Sequence, residues 1–239
     1  MLSTDVAMKV LEGGEIEVLG VLPYASNYTY LARISGSDQE ALAVYKPRRG
    51  ERPLWDFPIG TLARREVCAF LVSEAAGFRI VPPTVLRTDA PLGDGSLQLF
   101  VEHDPERHYF SLVEDRLEEF AAFAAFDVAI NNADRKAGHV IEDVSGRLWG
   151  LDHGVSFHWE PKLRTVIWEF ADRPLDDGLV ACLEGLRDAL RDRSGLCDEI
   201  ARLLSPKEAT ATLARVERFL TDRAFPGPPT HHPFPWPLV

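Results

Sequence analysis

Apolar residues in the first part of the chain, between residues 15 and 44, come in three short and partly alternating runs. Alternation with a period of two is typical of strands that bury one face. Residues 35–38, Ser-Gly-Ser-Asp, separate the second run from the third and have the composition of a turn. This part of the chain is therefore predicted to form three strands joined by turns.

The spacing of apolar residues then changes. They recur at helical intervals over residues 67–75, and Gly77 ends the pattern, which predicts a helix of three to four turns. Two further strands are predicted at residues 85–86 and 96–101. Residues 1–101 are thus predicted to form a small lobe in which an antiparallel sheet carries one helix.

The rest of the chain has the patterns of several helices around one hairpin. Residues 117–130 are predicted to be helical, and residues 140–151 to form a hairpin that turns at Ser145 and Gly146. Two more helices are predicted after the hairpin. The first is indicated by leucines at helical spacing, namely Leu179, Leu183, Leu186 and Leu190.

The last predicted helix has the clearest start. Ser205 is predicted as its N-cap, with Pro206 at the first helical position and Glu208 completing a capping box. Its buried face is predicted to contain Leu213, Val216 and Leu220.

Residues 102–225 are thus predicted to form a reduced, mainly helical second lobe. Residues 226–239 contain six prolines and are predicted to be an extended tail on the surface.

Charge and cysteine content narrow the function classes. The chain has 37 acidic and 26 basic residues and a formal net charge of -11, which opposes binding to nucleic acid. It has no basic segment followed by an apolar stretch at its start, and no uncharged apolar run long enough to cross a membrane. Its three cysteines are odd in number and lack C-x-x-C spacing, which favours free thiols. We therefore expect a cytoplasmic protein without integral membrane association.

Charged residues at a few positions carry the candidate chemistry. Lys46 follows the third predicted strand, and Glu66 lies in the predicted helix, where its carboxylate could fix the ammonium group. A polar loop at residues 131–139 follows an apolar helix, and Asp152 follows the hairpin. Phosphoryl transfer from ATP requires a cation on the phosphates, a partner that fixes it, metal ligands, and a carboxylate near the attacking hydroxyl. These positions supply all four.

The order Lys46, Glu66, Asp134, Lys136, Asp152 resembles the protein-kinase-like superfamily, in which a strand lysine, a helix glutamate, an Asp-x-Lys loop and an Asp-Phe-Gly-type turn assemble the site. Residues 65–71, followed by Val-Pro-Pro-Thr at residues 81–84, more specifically resemble the phosphatidylinositol 3/4-kinase-like and HipA-like branches. Residues 41–58 resemble a small bacterial family grouped with these kinases. The resemblance covers roughly residues 15–160.

The resemblance implies an α+β, two-lobed protein-kinase-like fold and an ATP-dependent phosphotransferase that uses Mg²⁺ or Mn²⁺. Lys46 and Glu66 would position ATP, and Asp152 with His139 would hold the metal. Asp134 would orient the acceptor hydroxyl, and Lys136 would stabilise the developing charge. The remaining nucleotide contacts implied by the resemblance are Ser26 and Asn27 over the phosphates, in place of a glycine-rich loop, and Gln98, Phe100 and Val101 in the interlobe hinge.

Two departures from the family pattern leave alternatives open. His139 replaces the metal-binding asparagine, which makes manganese plausible beside magnesium, and His153 replaces the aromatic residue of the Asp-Phe-Gly turn. The alternatives are a nucleotide-binding pseudokinase that acts as a regulatory interaction module, a nucleotidyl transferase, and a hydrolytic metal site built from His139, Asp152, His153 and His158.

The acceptor is expected to be a hydroxyl of a protein or a small molecule. A kinase of lipid headgroups would be expected to carry several basic residues after Asp152. Residues 154–170 contain only Lys162 and Arg164. A membrane phosphoinositide is therefore disfavoured.

Overall fold

The computed structural model describes residues 2–23, 27–192 and 195–239. Its helices are α1 (Thr4–Gly13), α2 (Leu62–Ala75), α3 (Tyr109–Arg116), α4 (Ala121–Ile130), α5 (Asp177–Arg191), α6 (Leu196–Leu203) and α7 (Pro206–Asp222). Its strands are β1 (Glu15–Val21), β2 (Tyr30–Ser35), β3 (Glu40–Pro47), β4 (Thr84–Arg87), β5 (Gly95–Leu99), β6 (His103–His108), β7 (Val140–Asp143) and β8 (Leu148–Gly150). The α+β class predicted from the sequence is confirmed. No helix in the described ranges combines the length and the apolar character needed to cross a lipid bilayer.

A five-stranded antiparallel sheet dominates the first part of the chain. Its order is β1-β2-β3-β5-β4, so β3 is central and is hydrogen-bonded along both edges. Ala41, Ala43 and Tyr45 alternate along β3 and are buried in a core shared with α1. Because neighbouring side chains of a strand point to opposite faces, this pattern turns Lys46 toward the other face of the sheet.

Helix α1 is an addition to the predicted lobe. Its buried residues are Ala7, Val10 and Leu11, which are spaced as one face of a helix and pack on the sheet. The sheet therefore carries two helices, α1 and α2, where the sequence interpretation expected one. The three-four spacing of these apolar residues is the signal that could have found it.

Helix α2 is shared by the two halves of the molecule. It contacts β4 and β5 on one side and α4, α5 and α6 on the other. Phe70 and Val72 lie in the same apolar core as the residues of the C-terminal helices. The guanidinium of Arg65 is fully buried and pairs with Glu208 of α7 at 2.6 Å. The helix that presents Glu66 is thus held by the C-terminal helices as well as by the sheet.

A second sheet, with order β6-β7-β8, follows. The predicted hairpin turn at Ser145 and Gly146 is confirmed, and Asp143 organises it. The Asp143 carboxylate accepts hydrogen bonds from the backbone N–H groups of Ser145 and Arg147 and from the indole of Trp149. Burial alone would raise the pKa of Asp143, but hydrogen bonds from Ser145 and Trp149 lower it to about 2.

Predictions for the later helices are partly confirmed. The Ser205 hydroxyl accepts a hydrogen bond from the Glu208 N–H, as expected of an N-cap. Val216 is buried, whereas Leu213 and Leu220 are only half-buried. The predicted helix over residues 117–130 begins as a 3-10 turn before α4. Elements α3, α6 and β6 were not predicted, and three helices rather than two follow the hairpin within the described ranges.

Residues 226–239 run over the surface without helix or strand, as expected from their prolines. Their last part lies closer to the polar loop than the sequence indicated. The Pro233 carbonyl accepts hydrogen bonds from the Thr165 N–H and the Trp168 indole, and the Leu238 carbonyl accepts one from the Ala137 N–H at 2.8 Å. We call residues 233–239 the C-terminal strap.

We expect Arg65→Met to lower the free energy of unfolding by about 3 to 5 kcal/mol, because it leaves the Glu208 carboxylate buried without its partner. Urea unfolding followed by circular dichroism measures the change. The matched control is Arg191→Met, which removes one member of the exposed Arg191–Glu217 pair and should cost less than about 1 kcal/mol. Equal losses in the two variants would contradict this account of α2.

Candidate active site

A cleft of about 600 Å³ lies between the five-stranded sheet and the C-terminal part of the chain. Of the eleven residues assigned to the kinase-like site from the sequence, ten line it: Asn27, Lys46, Glu66, Gln98, Phe100, Val101, Asp134, Lys136, His139 and Asp152. The eleventh, Ser26, lies outside the described residues. Residues from six separate segments therefore meet at one cavity.

The side chain of Lys46 lines this cleft. It is hydrogen-bonded to Glu66 Oε1 and lies 3.0 Å from Asp152 Oδ1, although these partners are 20 and 106 positions away in sequence. Strand pairing fixes its location, because Lys46 is opposite Ser96 of β5. Gly95 makes this packing possible, since a Cβ there would lie 2.4 Å from the Lys46 carbonyl oxygen.

The neighbouring carboxylates keep the Lys46 ammonium group protonated. Burial alone would lower the pKa of Lys46, but the carboxylates of Asp152 and Glu66 together raise it above its ordinary value. The Lys46 charge in turn lowers the pKa of Asp152, against the effect of burial. Burial raises the pKa of Glu66, although Lys46 opposes the rise. The site thus holds a permanent cation beside an ionised Asp152.

Asp152 and the residue after it are held in a defined geometry. Asp152 has a left-handed backbone with φ of 55°, which is uncommon for a non-glycine residue. The His153 N–H donates to Glu66 Oε2 at 3.0 Å, so Glu66 binds both the lysine and the turn that carries Asp152. The His153 ring is fully buried and packs edge-on against Phe126. A buried ring therefore fills the place of the aromatic residue that the family pattern has here.

The polar loop 131–139 is organised by an ion pair that sequence reasoning missed. Arg135 and Asp127 are both fully buried and approach to 2.9 Å. Arg135 also donates to the carbonyls of His139 and Leu151 and contacts His153 Nε2 at 2.7 Å. One guanidinium thus connects the loop to the segment that leads into Asp152. The signal was a charged residue, Asp127, inside the longest apolar run of the chain.

Asp134 and Lys136 project from this loop into the cleft. Lys136 Nζ lies 3.2 Å from Asp134 Oδ2. Burial raises the pKa of Asp134 to about 6, although the neighbouring Lys136 acts to lower it. A carboxyl group with this pKa can accept a proton near neutral pH, which is the requirement for a general base.

His139 supplies the second donor beside Asp152. Its Nε2 lies 3.4 Å from Asp152 Oδ2. Burial lowers the pKa of His139 to about 4, against the opposing effect of Asp152, so the ring is neutral at physiological pH. A neutral imidazole and a carboxylate facing one cavity fit a divalent cation whose other ligands are phosphate oxygens and water.

A self-contained metal centre of the hydrolytic kind finds no support. Among the described residues there is no group of three or more His, Cys, Asp or Glu side chains that could hold a metal ion. His153 is used by Arg135, and His158 stacks on Trp159 at 4.1 Å. The four residues proposed for that alternative therefore do not form one cluster.

The predicted hinge residues line the cleft, but several of their polar groups are occupied. The Gln98 amide donates to Thr84 at 2.9 Å, the Phe100 N–H donates to the Leu42 carbonyl, and the Val101 carbonyl contacts His103 Nδ1. Asn27 uses its side-chain oxygen to accept from the Arg52 N–H at 2.8 Å. These hydrogen bonds fix the sides of the cleft.

Sequence comparison finds one relative of nearly equal extent. The chain is 38% identical to protein Rv2133c of Mycobacterium tuberculosis, over 95% of this chain and 94% of that protein. It is 30% identical to phosphatidylinositol 4-kinase gamma 4 of Oryza sativa subsp. japonica, over 49% of this chain and only 25% of the plant protein. The chain thus spans about a quarter of the plant relative. No family model matches the sequence.

Solved structures identify the fold. A hydra Fam20 solved with sugar has a TM-score of 0.58 at 16% identity, over 93% of this chain and 89% of that one. A Golgi casein kinase with Mn/ADP bound has a TM-score of 0.56 at 15% identity, over 92% and 75%. At these identities the likeness concerns the fold alone. The two-lobed, protein-kinase-like fold expected from the sequence is confirmed.

We expect Asp134→Asn to stabilise the fold at pH 8 by about 2 kcal/mol, because a carboxyl whose pKa is raised by burial is unfavourable when ionised. The sign follows from the raised pKa: the natural chain loses this stability as the pH rises from about 4 to about 6, and the amide does not. The gain should therefore fade near pH 4. Urea unfolding at the two pH values measures it, and a loss of stability at pH 8 would contradict the raised pKa.

Proposed function

This chain belongs to the family of the Mycobacterium tuberculosis protein Rv2133c, and we propose that it is an ATP-dependent phosphotransferase that uses a divalent metal. The observation that carries the proposal is the Lys46 ammonium held between Glu66 and Asp152 in a cleft of a kinase-like fold. Such a buried cation beside an ionised carboxylate is what binding of nucleotide phosphates with a metal requires. We propose the phosphatidylinositol 3/4-kinase-like branch, because the plant 4-kinase similarity agrees with the resemblance of residues 65–84.

In this proposal the first task of the site is to hold ATP. Lys46 binds the phosphates, and Glu66 fixes its ammonium group and the backbone at His153. Asn27 closes over the phosphates from the β1–β2 connection, and the segment containing Gln98, Phe100 and Val101 faces the base. Asp152 and His139 would hold the metal, which supplies charge neutralisation at the phosphates.

The second task is activation of the acceptor. Asp134 orients the acceptor hydroxyl and accepts its proton at a carboxylate oxygen. The acceptor oxygen forms a bond to the γ-phosphorus of ATP, the bond from that phosphorus to the β–γ bridging oxygen breaks, and ADP leaves. Lys136, 3.2 Å from Asp134, stabilises the negative charge that develops on the transferred group. Arg135 keeps both side chains in place, because its guanidinium joins the loop to Asp127 and to the Leu151 carbonyl.

The similarity to a phosphatidylinositol 4-kinase does not extend to a lipid acceptor in this proposal. Of the two basic residues in the segment after Asp152, Lys162 is paired with Asp56 at 2.9 Å and lies over the Trp55 ring. Its charge is therefore already used. A hydroxyl of a protein or small molecule remains the proposed acceptor.

Nucleotide binding is tested by thermal shift. We expect ADP with Mn²⁺ or Mg²⁺ to raise the Tm of the natural chain, and Lys46→Met to remove most of the shift, because the phosphates lose their cation. Lys162→Met is the matched control, since that lysine lies outside the phosphate site, and it should keep the shift. A Tm that responds to the metal alone and not to ADP would contradict the proposal.

Transfer is tested separately with labelled ATP. We expect Asp134→Asn to lower the rate of γ-phosphoryl transfer by at least about a hundredfold while the ADP-dependent thermal shift persists, because the carboxylate acts on the acceptor. Binding without any transfer by the natural chain would identify a pseudokinase. Label from the α-phosphate on the acceptor would identify a nucleotidyl transferase, and either result would overturn the proposed reaction.

A further inference from the structure

The C-terminal strap lies against the proposed acceptor side of the cleft. Its first residue, Pro233, is bonded to Thr165 and to the Trp168 indole, and Pro235 is buried. Its Leu238 carbonyl accepts the Ala137 N–H, one residue beyond Lys136. Both ends of the strap are thus tied to the surroundings of the loop that carries Asp134.

Two extended segments lie side by side along loop 131–139, and the strap is the outer one. Arg135 exchanges backbone hydrogen bonds with the segment at Arg164 and Val166. That segment is covered in turn by the strap, through the Thr165 N–H. An extended polypeptide binds such a surface by pairing with free backbone groups. Here the strap already pairs with the groups at Thr165 and Ala137.

The strap cannot itself be the acceptor. Its sequence is Pro-Phe-Pro-Trp-Pro-Leu-Val, which contains no Ser, Thr or Tyr. It therefore offers no hydroxyl to Asp134 and forms a fixed side of the cleft.

An exposed aromatic residue of the strap lies beside the open part of the cleft. Trp236 lines the same cavity as Lys136 and His139, yet 87% of its surface is exposed to solvent. Tyr28, from the sheet side, also lines the cavity and is 67% exposed. Large aromatic side chains at the mouth of a cleft are binding surfaces for a flat or apolar part of a ligand.

We propose that the strap makes this an acceptor site for a small-molecule alcohol with a ring, and that Trp236 is a specificity-determining residue that packs on that ring. The inference rests on the proposed phosphotransferase function. Of the two acceptor classes proposed above, it favours the small molecule, because residues 233–239 occupy the backbone N–H groups of Thr165 and Ala137 with which an extended polypeptide would pair.

The test uses γ-labelled ATP with two sets of probes: a panel of monosaccharides, inositols and aromatic alcohols, and dephosphorylated casein as an unfolded polypeptide. The natural chain should label at least one ring alcohol and leave casein unlabelled. Trp236→Ala should raise the KM for that alcohol at least tenfold with kcat nearly unchanged. Phe234→Ala is the matched control, because Phe234 is an exposed aromatic of the strap that does not line the cleft.

A chain ending at His232 removes the strap and should gain transfer to casein. Because that chain can fail to fold, a chain ending at Pro237 provides a second route. It removes only the two exposed residues Leu238 and Val239, and with them the carbonyl that the Ala137 N–H binds. Each variant is first checked by its Tm without nucleotide.

The outcomes separate the two proposals. Labelling of casein by the natural chain, or an unchanged KM in Trp236→Ala, would each overturn the acceptor inference while leaving the phosphotransferase function in place. Transfer to neither probe class, before and after loss of the strap, would instead count against the proposed phosphotransferase function. If ADP with metal does not raise the Tm of the natural chain, it is the proposed phosphotransferase function that fails.

Discussion

The candidate site depends on one buried ion pair, between Arg135 and Asp127. Neither side chain reaches solvent, and removing such charges from water costs several kcal/mol for each ion unless every donor and acceptor is paired. Arg135 meets that demand by bonding to Asp127, to two carbonyls and to the His153 ring. The demand for partners is what makes the geometry definite, because any displacement of the loop leaves a charge uncompensated.

The second constraint is the packing of α2 between the sheet and the rest of the molecule. Lys46 is placed by strand pairing and Glu66 by a helix whose neighbour, Arg65, is tied to α7. Lys46 and Glu66 meet because the sheet packs on α2, and the C-terminal helices hold the other side of the same helix. Stability and site assembly therefore share their contacts, so a substitution in this helix affects both.

Several site positions could be predicted from the sequence because their signals are local. Lys46, Glu66, Asp134 and Asp152 each adjoin an element with clear apolar spacing, and their order resembles a known pattern. The N-cap at Ser205 is likewise predicted by residues that are close together in the sequence. The roles given to these residues stay proposals, while the fold around them is confirmed by solved structures.

The remaining features depend on contacts between distant residues. Strand β6 has the sequence His-Asp-Pro-Glu-Arg-His, which shows no apolar alternation, and α6 was too short to stand out. Asp127 stands out as a charge inside an apolar run, but no local pattern shows that Arg135 is its partner. The course of the strap is set by backbone carbonyls at Pro233 and Leu238, which any residue provides.

If the cleft binds a nucleotide as proposed, the packing of both halves on α2 also determines how that nucleotide could leave. In kinases whose halves are joined loosely, exchange follows a hinge motion that swings one half away from the other. Here such a swing would pull α2 from its core and separate Arg65 from Glu208, at a cost comparable to partial unfolding. Release of the nucleotide is therefore expected to proceed through small movements of residues at the rim of the cavity. These movements would set its rate.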